Sequence, residues 1–460
     1  MKQHEKGKIL WADDEIEHLK PHILFLEERG YDLTLVTNAE DAVALVEDNN
    51  YDLVLMDEMM SGMDGLEALT KIKALNSSIP VIMITKSEQE DIMEQAIGSQ
   101  IEDYLTKPVN PSQILSSCKR ILERRRIEQE KLTREYTMDF SRISRLLSED
   151  LDYQSWFDIH LQLSEREIFG DRYPSHGMLQ SMHDLRLECN QMFGKFIESN
   201  YSGWLRNHNR PLLSVDLMRE HVFPPLMEGK EVLFVVIDNL RLDQWLTLEQ
   251  QLLSDFSIDR NLYYSILPTA TPFSRNSIFA GLFPREIKKK HPAYWEDDVD
   301  DETSMNKYES QLLQLNLERQ GVKLKNKSRY FKIIDSGHTD KLLQNKDSFL
   351  QPSLTSVVVN FVDILSHKRS ESKILKEIVP NEAAYRSLTS SWFQHSSFLT
   401  LLKEAGRRGK KIVLTSDHGS IRVNKGLTVY ADKSASTNLR YKHGRGIRTE
   451  NDKQVLTIAE

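Results

Sequence analysis

The chain of 460 residues is 39% hydrophobic and 28% charged, the balance of a soluble globular protein with room for roughly two to four domains. Its net charge of −9 argues against unspecific binding along a nucleic-acid backbone, and its long apolar runs, such as Val232–Ile237, fall far short of the ~20 residues of a bilayer span. No apolar stretch follows the N-terminal MKQHEKGK, so no secretion signal is read, and two cysteines, Cys118 and Cys189, make no disulfide framework; a reducing, cytoplasmic setting is expected.

Residues 8 to about 120 alternate between short apolar runs and stretches long enough for helices. Lys8–Ala12, Leu33–Val36, Leu53–Met56, Val81–Ile84 and Tyr104–Leu105 read as strands bounded by turn residues, which predicts a parallel sheet wound on both faces. From Pro111 the pattern turns helical; ILSSCKRILERRRIEQEKLTREYTMDFSRISRLL carries neither Gly nor Pro. It reads as the last helix of the first domain running on into a connecting helix, and further amphipathic stretches up to about residue 225 predict a small helical bundle that transmits orientation and carries no chemistry. Strand patterns return at Lys230: EVLFVVID, SVVVNFVDILSH and IVLTSDHG are apolar runs that end in polar residues, the edge at which open α/β sheets place active sites. The charge run WEDDVDDE at 295–302 reads as a solvated loop. The expected layout is residues 1–125, 126–225 and 226–460, an α/β multidomain chain with a helical linker bundle.

Two constellations of functional side chains stand out. In the first, Asp13 and Asp14 follow the first strand, Asp57 the third, Thr85 the fourth and Lys107 the fifth. In a parallel sheet all five reach one carboxyl edge. Clustered carboxylates call for a cation, and an all-oxygen site suits Mg²⁺. The cation and Lys107 would neutralise an incoming phosphoryl group while a carboxylate attacks phosphorus, and Thr85 would hydrogen-bond the new phosphate. The order and spacing resemble the receiver domains of bacterial two-component response regulators, over residues 6 to 125, and imply a CheY-like, flavodoxin-like fold. The resemblance implies Asp57 as phospho-acceptor and Mg²⁺ on Asp13, Asp14, Asp57 and the Met59 carbonyl. It also implies Thr85 and Tyr104 as a switch pair, Lys107 as the phosphate contact, and a sensor histidine kinase as donor. Ser61 stands where that family usually carries proline.

In the second, Asp238 ends VLFVVID, Thr271 opens TPFSRNSIFAGL just before a predicted helix, Asp363 and His367 lie four apart in FVDILSH, and Asp417 and His418 are adjacent in TSDHG. A spacing of four puts Asp363 and His367 on one helix face, able to grip one ion. Mixed oxygen and imidazole donors select zinc over magnesium, a threonine hydroxyl needs a metal to become a nucleophile, and a helix N-terminus favours phosphate. Each piece has an ordinary reading too: a surface pair, or an N-cap at Thr269 or Thr271.

The ordered set resembles the alkaline-phosphatase superfamily and, more narrowly, its PglZ branch, from residue 230 to the end. The resemblance implies Thr271 as nucleophile, one zinc on Asp238, Thr271, Asp417 and His418, a second on Asp363 and His367, and attack of Thr271 on a phosphodiester followed by hydrolysis of the phospho-threonine. That superfamily adds a further histidine to the second metal. His443 in RYKHGRG is the candidate, unless the segment lies beyond Glu460, an alternative suggested by VLTIAE, which reads as the start of a strand. Arg440, Lys442 and Arg445 are candidate phosphate contacts, or a solvated loop. His338 and Lys288–Lys290 read as surface. There is no P-loop, helix-turn-helix or zinc-finger spacing.

Receiver, helical linker and PglZ-type domain in one chain resemble the PorX-like response regulators associated with type IX secretion in Bacteroidetes. This implies phosphodiester cleavage of nucleotide or oligonucleotide substrates, homodimer formation on phosphorylation, and a sigma factor as partner. The alternative is a C-terminal domain that serves only as a metal-supported, non-catalytic platform for such a partner.

Overall fold

In the computed structural model, the first five apolar runs form one parallel sheet: β1 (Gly7–Ala12), β2 (Tyr31–Val36), β3 (Leu53–Asp57), β4 (Val81–Thr85) and β5 (Asp103–Thr106), in the order β2-β1-β3-β4-β5. Residues 6–76, 79–86, 101–172, 176–206, 209–296, 306–423, 426–432, 435, 441–442, 446–450 and 455–457 are described. Alternate residues of β1 feed two cores, Leu10 and Ala12 on one face, Ile9 and Trp11 on the other. That is why the strand reads as a continuous apolar run. Helices α1 (Lys20–Glu27), α2 (Ala39–Asp48) and α3 (Gly65–Leu75) flank the sheet, α2 capped by Asn38 and α3 by Asp64.

The chain divides into two compact units, one running to Arg142 and the other made of Ile143–Asp171 and the chain from His176 onward. Helix α4 spans Pro111–Leu146, α5 Tyr153–Arg172 and α6 His176–Trp204. Within the second unit, Phe157, Phe193, Phe196, Tyr201 and Trp204 of α5 and α6 share a core with Leu213, Tyr264, Ile266, Ala270 and Phe273. Phe157 stacks on Tyr264 at 4.7 Å between ring centroids, and Trp204 lies 5.1 Å from the same ring, so these helices are built into the domain that follows them.

The second sheet is also parallel. Its strands are β6 (Val232–Ile237), β7 (Ser328–Ile333), β8 (Leu354–Val359) and β9 (Lys411–Thr415), in the order β7-β8-β6-β9. β6 and β8 are buried along their whole length, with Leu233, Val235 and Ile237 facing one core and Val232, Phe234 and Val236 the other. Strand β7 is not legible in the sequence: SRYFKI mixes charges with apolar residues because it is the edge strand. Val455–Thr457, expected to open a strand, belong to none.

Four further helices matter for the site: α7 (Leu242–Glu249), α8 (Thr271–Ala280), α9 (Glu309–Arg319) and α10 (Phe361–Glu371). Helix α8 ends at Gly281, whose φ of 56° is a left-handed cap that a side chain would resist. Among the described residues, no helix is long and apolar enough to cross a membrane.

Candidate functional site

The first constellation assembles at the carboxyl edge of the first sheet. Carboxylate oxygens of Asp13, Asp14 and Asp57 all lie within 4.8 Å of one another. Asp57 is the last residue of β3, Asp13 and Asp14 follow β1, and Lys107 follows β5. The Lys107 ammonium donates to Asp57 Oδ2 at 2.8 Å and to Asp13 Oδ2 at 3.0 Å. Burial pushes the Asp57 carboxyl up, the Lys107 hydrogen bond opposes it, and the Asp13 charge adds to the rise. Lys107 is raised: burial works against its charge, and the hydrogen bonds to Asp57 and Asp13 outweigh it.

Gly65 fits here for a steric reason, since a Cβ at that position would sit 2.2 Å from the Asp57 carbonyl oxygen. Thr85, fully buried, donates its hydroxyl to Glu58, the neighbour of Asp57. Met59 is exposed, and Tyr104 is half-buried on β5.

The second constellation assembles at the carboxyl edge of the second sheet. Asp238 follows β6, Asp417 and His418 follow β9, and Thr271 is the first residue of α8. One donor atom each from Asp238, Asp417 and His418 lies within 4.8 Å of the others. The Thr271 hydroxyl is 2.9 Å from His418 Nε2 and 3.3 Å from Asp238 Oδ1. His418 Nδ1 lies 3.1 Å from the Gly419 carbonyl oxygen. A carbonyl only accepts, so Nδ1 carries a proton, and in the neutral ring Nε2 keeps the lone pair on the side of the two acids.

Asp417 Oδ1 accepts from the backbone N–H groups of Asn239 (3.2 Å) and His418 (2.9 Å), while Oδ2 is buried without a hydrogen-bond partner. Burial first, then the Asp238 charge, push the Asp417 carboxyl from 3.8 up to about 7, against the pull of His418 and Arg275. An orphaned buried carboxylate oxygen, an inward imidazole lone pair and a second carboxylate fit a divalent ion of the zinc type.

Asp363 and His367 lie on α10, with Nε2 of the histidine 3.6 Å from Asp363 Oδ1. Burial and the Asp238 charge raise the Asp363 carboxyl. Asn239 joins this pair to the first group. It holds φ = 62°, an αL conformation that asparagine tolerates, while its N–H serves Asp417 and its side-chain amide donates to Asp363 Oδ1 at 3.3 Å. Among the described residues, no third histidine, cysteine or acid joins Asp363 and His367 in a second such group. His443, Arg440 and Arg445 lie outside the described residues; Lys442 is half-buried next to Tyr441, whose ring packs edge-on against Phe273.

Sequence reasoning missed the side chains behind these groups. Arg275, one turn after Thr271 and 1% exposed, donates to Asp238 Oδ2 and to Glu309 Oε1 and lies 3.8 Å from Asp417. Asn360, just past β8, donates to Asp238 Oδ2 at 3.0 Å. The spacing of four between Thr271 and Arg275 was the available signal, since it puts both on one helix face.

Residues 217–458, more than half of the chain, match the BREX system PglZ alkaline phosphatase-like domain. Residues 9–119 match the response regulator receiver domain, and 126–205 the PorX response regulator linker domain. The N-terminal unit accordingly has the CheY-like receiver fold, followed by a helical linker and a PglZ alkaline-phosphatase-like α/β domain. Among curated relatives, the transcriptional regulatory protein ResD of Bacillus subtilis is 33% identical over 124 residues, 27% of this chain and 51% of its own length. The phosphate regulon regulatory protein PhoB of Pseudomonas aeruginosa is 34% identical over 118 residues, 25% of this chain and 52% of its own length. The chain thus spans about half the length of these two relatives. A CheY-like receiver domain structure from Methanospirillum hungatei matches 26% of this chain and 97% of that one, at 28% identity and a TM-score of 0.26.

Proposed function

Because the chain belongs to the PglZ alkaline phosphatase-like family and carries a receiver domain ahead of it, we propose that it is a two-component response regulator whose output is a zinc-dependent phosphodiesterase. The single observation that carries this reading is the Thr271 hydroxyl set 2.9 Å from His418 Nε2 and 3.3 Å from Asp238 Oδ1, at the start of a helix.

Asp238, Asp417 and His418 would hold the ion, which when bound supplies a positive charge that lowers the pKa of the threonine hydroxyl and screens the phosphate. The Thr271 hydroxyl lies beside Asp238 and His418, and the positive end of α8 favours the phosphate group. Asp238 Oδ1, to which the hydroxyl donates, can accept its proton. The Thr271 oxygen then forms a bond to phosphorus as the ester oxygen leaves. Asp363 and His367 would hold a second ion, with His443 as a further candidate ligand.

Nucleotide or oligonucleotide diesters are the substrate class proposed, with Arg440, Lys442 and Arg445 as candidate phosphate contacts. In the receiver, Asp57 would take the phosphoryl group from a sensor histidine kinase. Asp13, Asp14, Asp57 and the Met59 carbonyl would hold Mg²⁺, Lys107 would contact the phosphate, and Thr85 and Tyr104 would report it. The match of 126–205 to the PorX response regulator linker domain supports a place in type IX secretion control, with homodimer formation on phosphorylation and a sigma factor as partner.

The test is hydrolysis of a chromogenic phosphodiester by zinc-loaded wild type and Thr271→Ala. Loss of turnover with retained fold and zinc content supports the enzyme. Equal rates would leave the metal-supported platform.

A further inference from the structure

Helix α8 carries a charged network where its neighbours are apolar. Arg275 is 1% exposed and its partner Glu309 equally buried, while α8 and α9 also give Ile278, Phe279 and Leu313 to the apolar core around Phe234. A buried ion pair is seldom the most stable filling for such a space, so its geometry points to another role.

Glu309 is the hub. Its Oε1 accepts from Arg275 Nε and, at 2.7 Å, from Asn306 Nδ2; its Oε2 accepts from the Tyr330 hydroxyl. Two arms leave it. Through Arg275, the first reaches Asp238 Oδ2, which Asn360 also engages, so Oδ1 is the Asp238 oxygen turned toward Thr271 and His418. Through Asn306, whose amide lies 3.3 Å from the Thr271 carbonyl oxygen, the second holds the backbone of the nucleophile itself.

We propose that Glu309 is a positioning residue that fixes Asp238 and Thr271 relative to each other, setting both ion affinity and the alignment of the hydroxyl. The proposal rests on the phosphodiesterase reading above. Loss of the Glu309 charge weakens ion binding in two ways that add: Arg275 loses its anchor, and the site loses a negative charge. Loss of the Asn306 amide frees the Thr271 backbone and leaves Asp238 clamped. The two arms therefore separate by experiment.

The full-length chain is compared as wild type, Glu309→Gln, Asn306→Ala and Arg275→Lys. Zinc affinity is measured by competition with a chromophoric chelator, kcat and KM on a chromogenic phosphodiester, and fold by circular dichroism. Loss of an outer-shell partner typically weakens metal binding by about tenfold or more, and that is the expected result for Glu309→Gln, with a lower kcat at saturating zinc and an unchanged KM. Asn306→Ala is expected to keep zinc affinity and lower kcat. Arg275→Lys retains the charge without the two-armed fork, and is expected to weaken zinc binding less than Glu309→Gln does, with a reduced kcat.

Wild-type zinc affinity and kcat in Glu309→Gln, with only a lower melting temperature, would overturn the proposal, as would an unchanged kcat in a folded Asn306→Ala. If wild type hydrolyses no diester, the phosphodiesterase reading fails by itself, and zinc affinity in Glu309→Gln still decides the first arm.

Discussion

Asp417 gives the most direct physical test of the proposed metal site, because one substitution should stabilise the ion-free protein and remove most of the stabilisation that the ion supplies. Its carboxyl is fully buried, its Oδ2 has no hydrogen-bond partner, and burial with the nearby Asp238 charge raises it from 3.8 to about 7. An acid raised in the folded state binds more protons there than in the unfolded chain. Stability is therefore fully present below pH 3.8 and is lost as pH rises toward about 7. Each pH unit of that window is worth about 1.4 kcal/mol, so metal-free protein should lose up to about 4 kcal/mol across it.

Asp417→Asn removes the ionisation. In metal-free protein above pH 7 it should be the more stable form, by up to about that same 4 kcal/mol and without the acid-side slope. With zinc at a hundredfold excess over Kd, wild type gains about 2.7 kcal/mol and the variant far less. The assay is urea denaturation followed by tryptophan fluorescence at pH 5 and pH 8, with chelator or with zinc. Trp156, Trp204, Trp245, Trp295 and Trp392 lie in the unit that holds the site, and Trp11 alone lies in the other. A metal-free variant less stable than wild type at pH 8, or equal gains from zinc in both proteins, would refute the reasoning.

Other perturbations test separate parts. Gly65→Ala drives a Cβ to 2.2 Å from the Asp57 carbonyl oxygen; the first unit should lose about 1–3 kcal/mol and label more slowly with a small-molecule phosphodonor, read by urea unfolding and by phosphate incorporation. Tyr201→Phe removes the acceptor of the Leu267 N–H, a 2.8 Å bond, and should lower stability by about 1–2 kcal/mol with a fall in kcat that fluorescence unfolding and steady-state rates together reveal. Arg386→Ala breaks its pairs with Asp171 (2.7 Å) and Asp243 (2.7 Å); Asp243 keeps Arg241, so the loss should be at the low end for a buried pair, about 3 kcal/mol by denaturation.

The residues at strand ends were legible because a parallel sheet sends every such residue to one edge. Asp57 after LVLM, Asp238 after VLFVVI and Asp417 after IVLTS needed only that rule. The Asp363 and His367 pair followed from helical periodicity and does lie within contact. What stayed hidden depends on chain distances that no local pattern encodes. Arg275, Glu309, Asn306 and Tyr330 meet across 55 residues of sequence, and each alone reads as a surface residue in a polar stretch. The edge strand Ser328–Ile333 lacked the apolar run that marked its buried neighbours. The helices between 153 and 204 read as a linking bundle because their stretches are amphipathic; that pattern could not say which surface they cover.

That surface has a consequence for control. Asp171, near the end of α5, grips Arg386 through both carboxylate oxygens, and Arg386 holds Asp243. Asp243 also accepts from Arg241; burial opposes its charge, yet Arg241 and Arg386 hold it down at about 2. Arg241 stands three residues after Asp238 and packs against Gly419, the neighbour of His418. On the other side, Tyr201 of α6 holds Leu267, four residues before Thr271, inside the aromatic core that includes Ala270 and Phe273. The two linker helices thus hold both segments that meet at the site, one leading from Asp238, the proposed ligand, and one leading to Thr271, the proposed nucleophile. Displacement of a reacting group by about 1 Å is worth on the order of a hundredfold in rate. With Thr271 in its proposed role, a shift of α5 against α6 that moved the hydroxyl by that distance would lower kcat by that order, which makes these helices the part of the second unit whose displacement should reach the site.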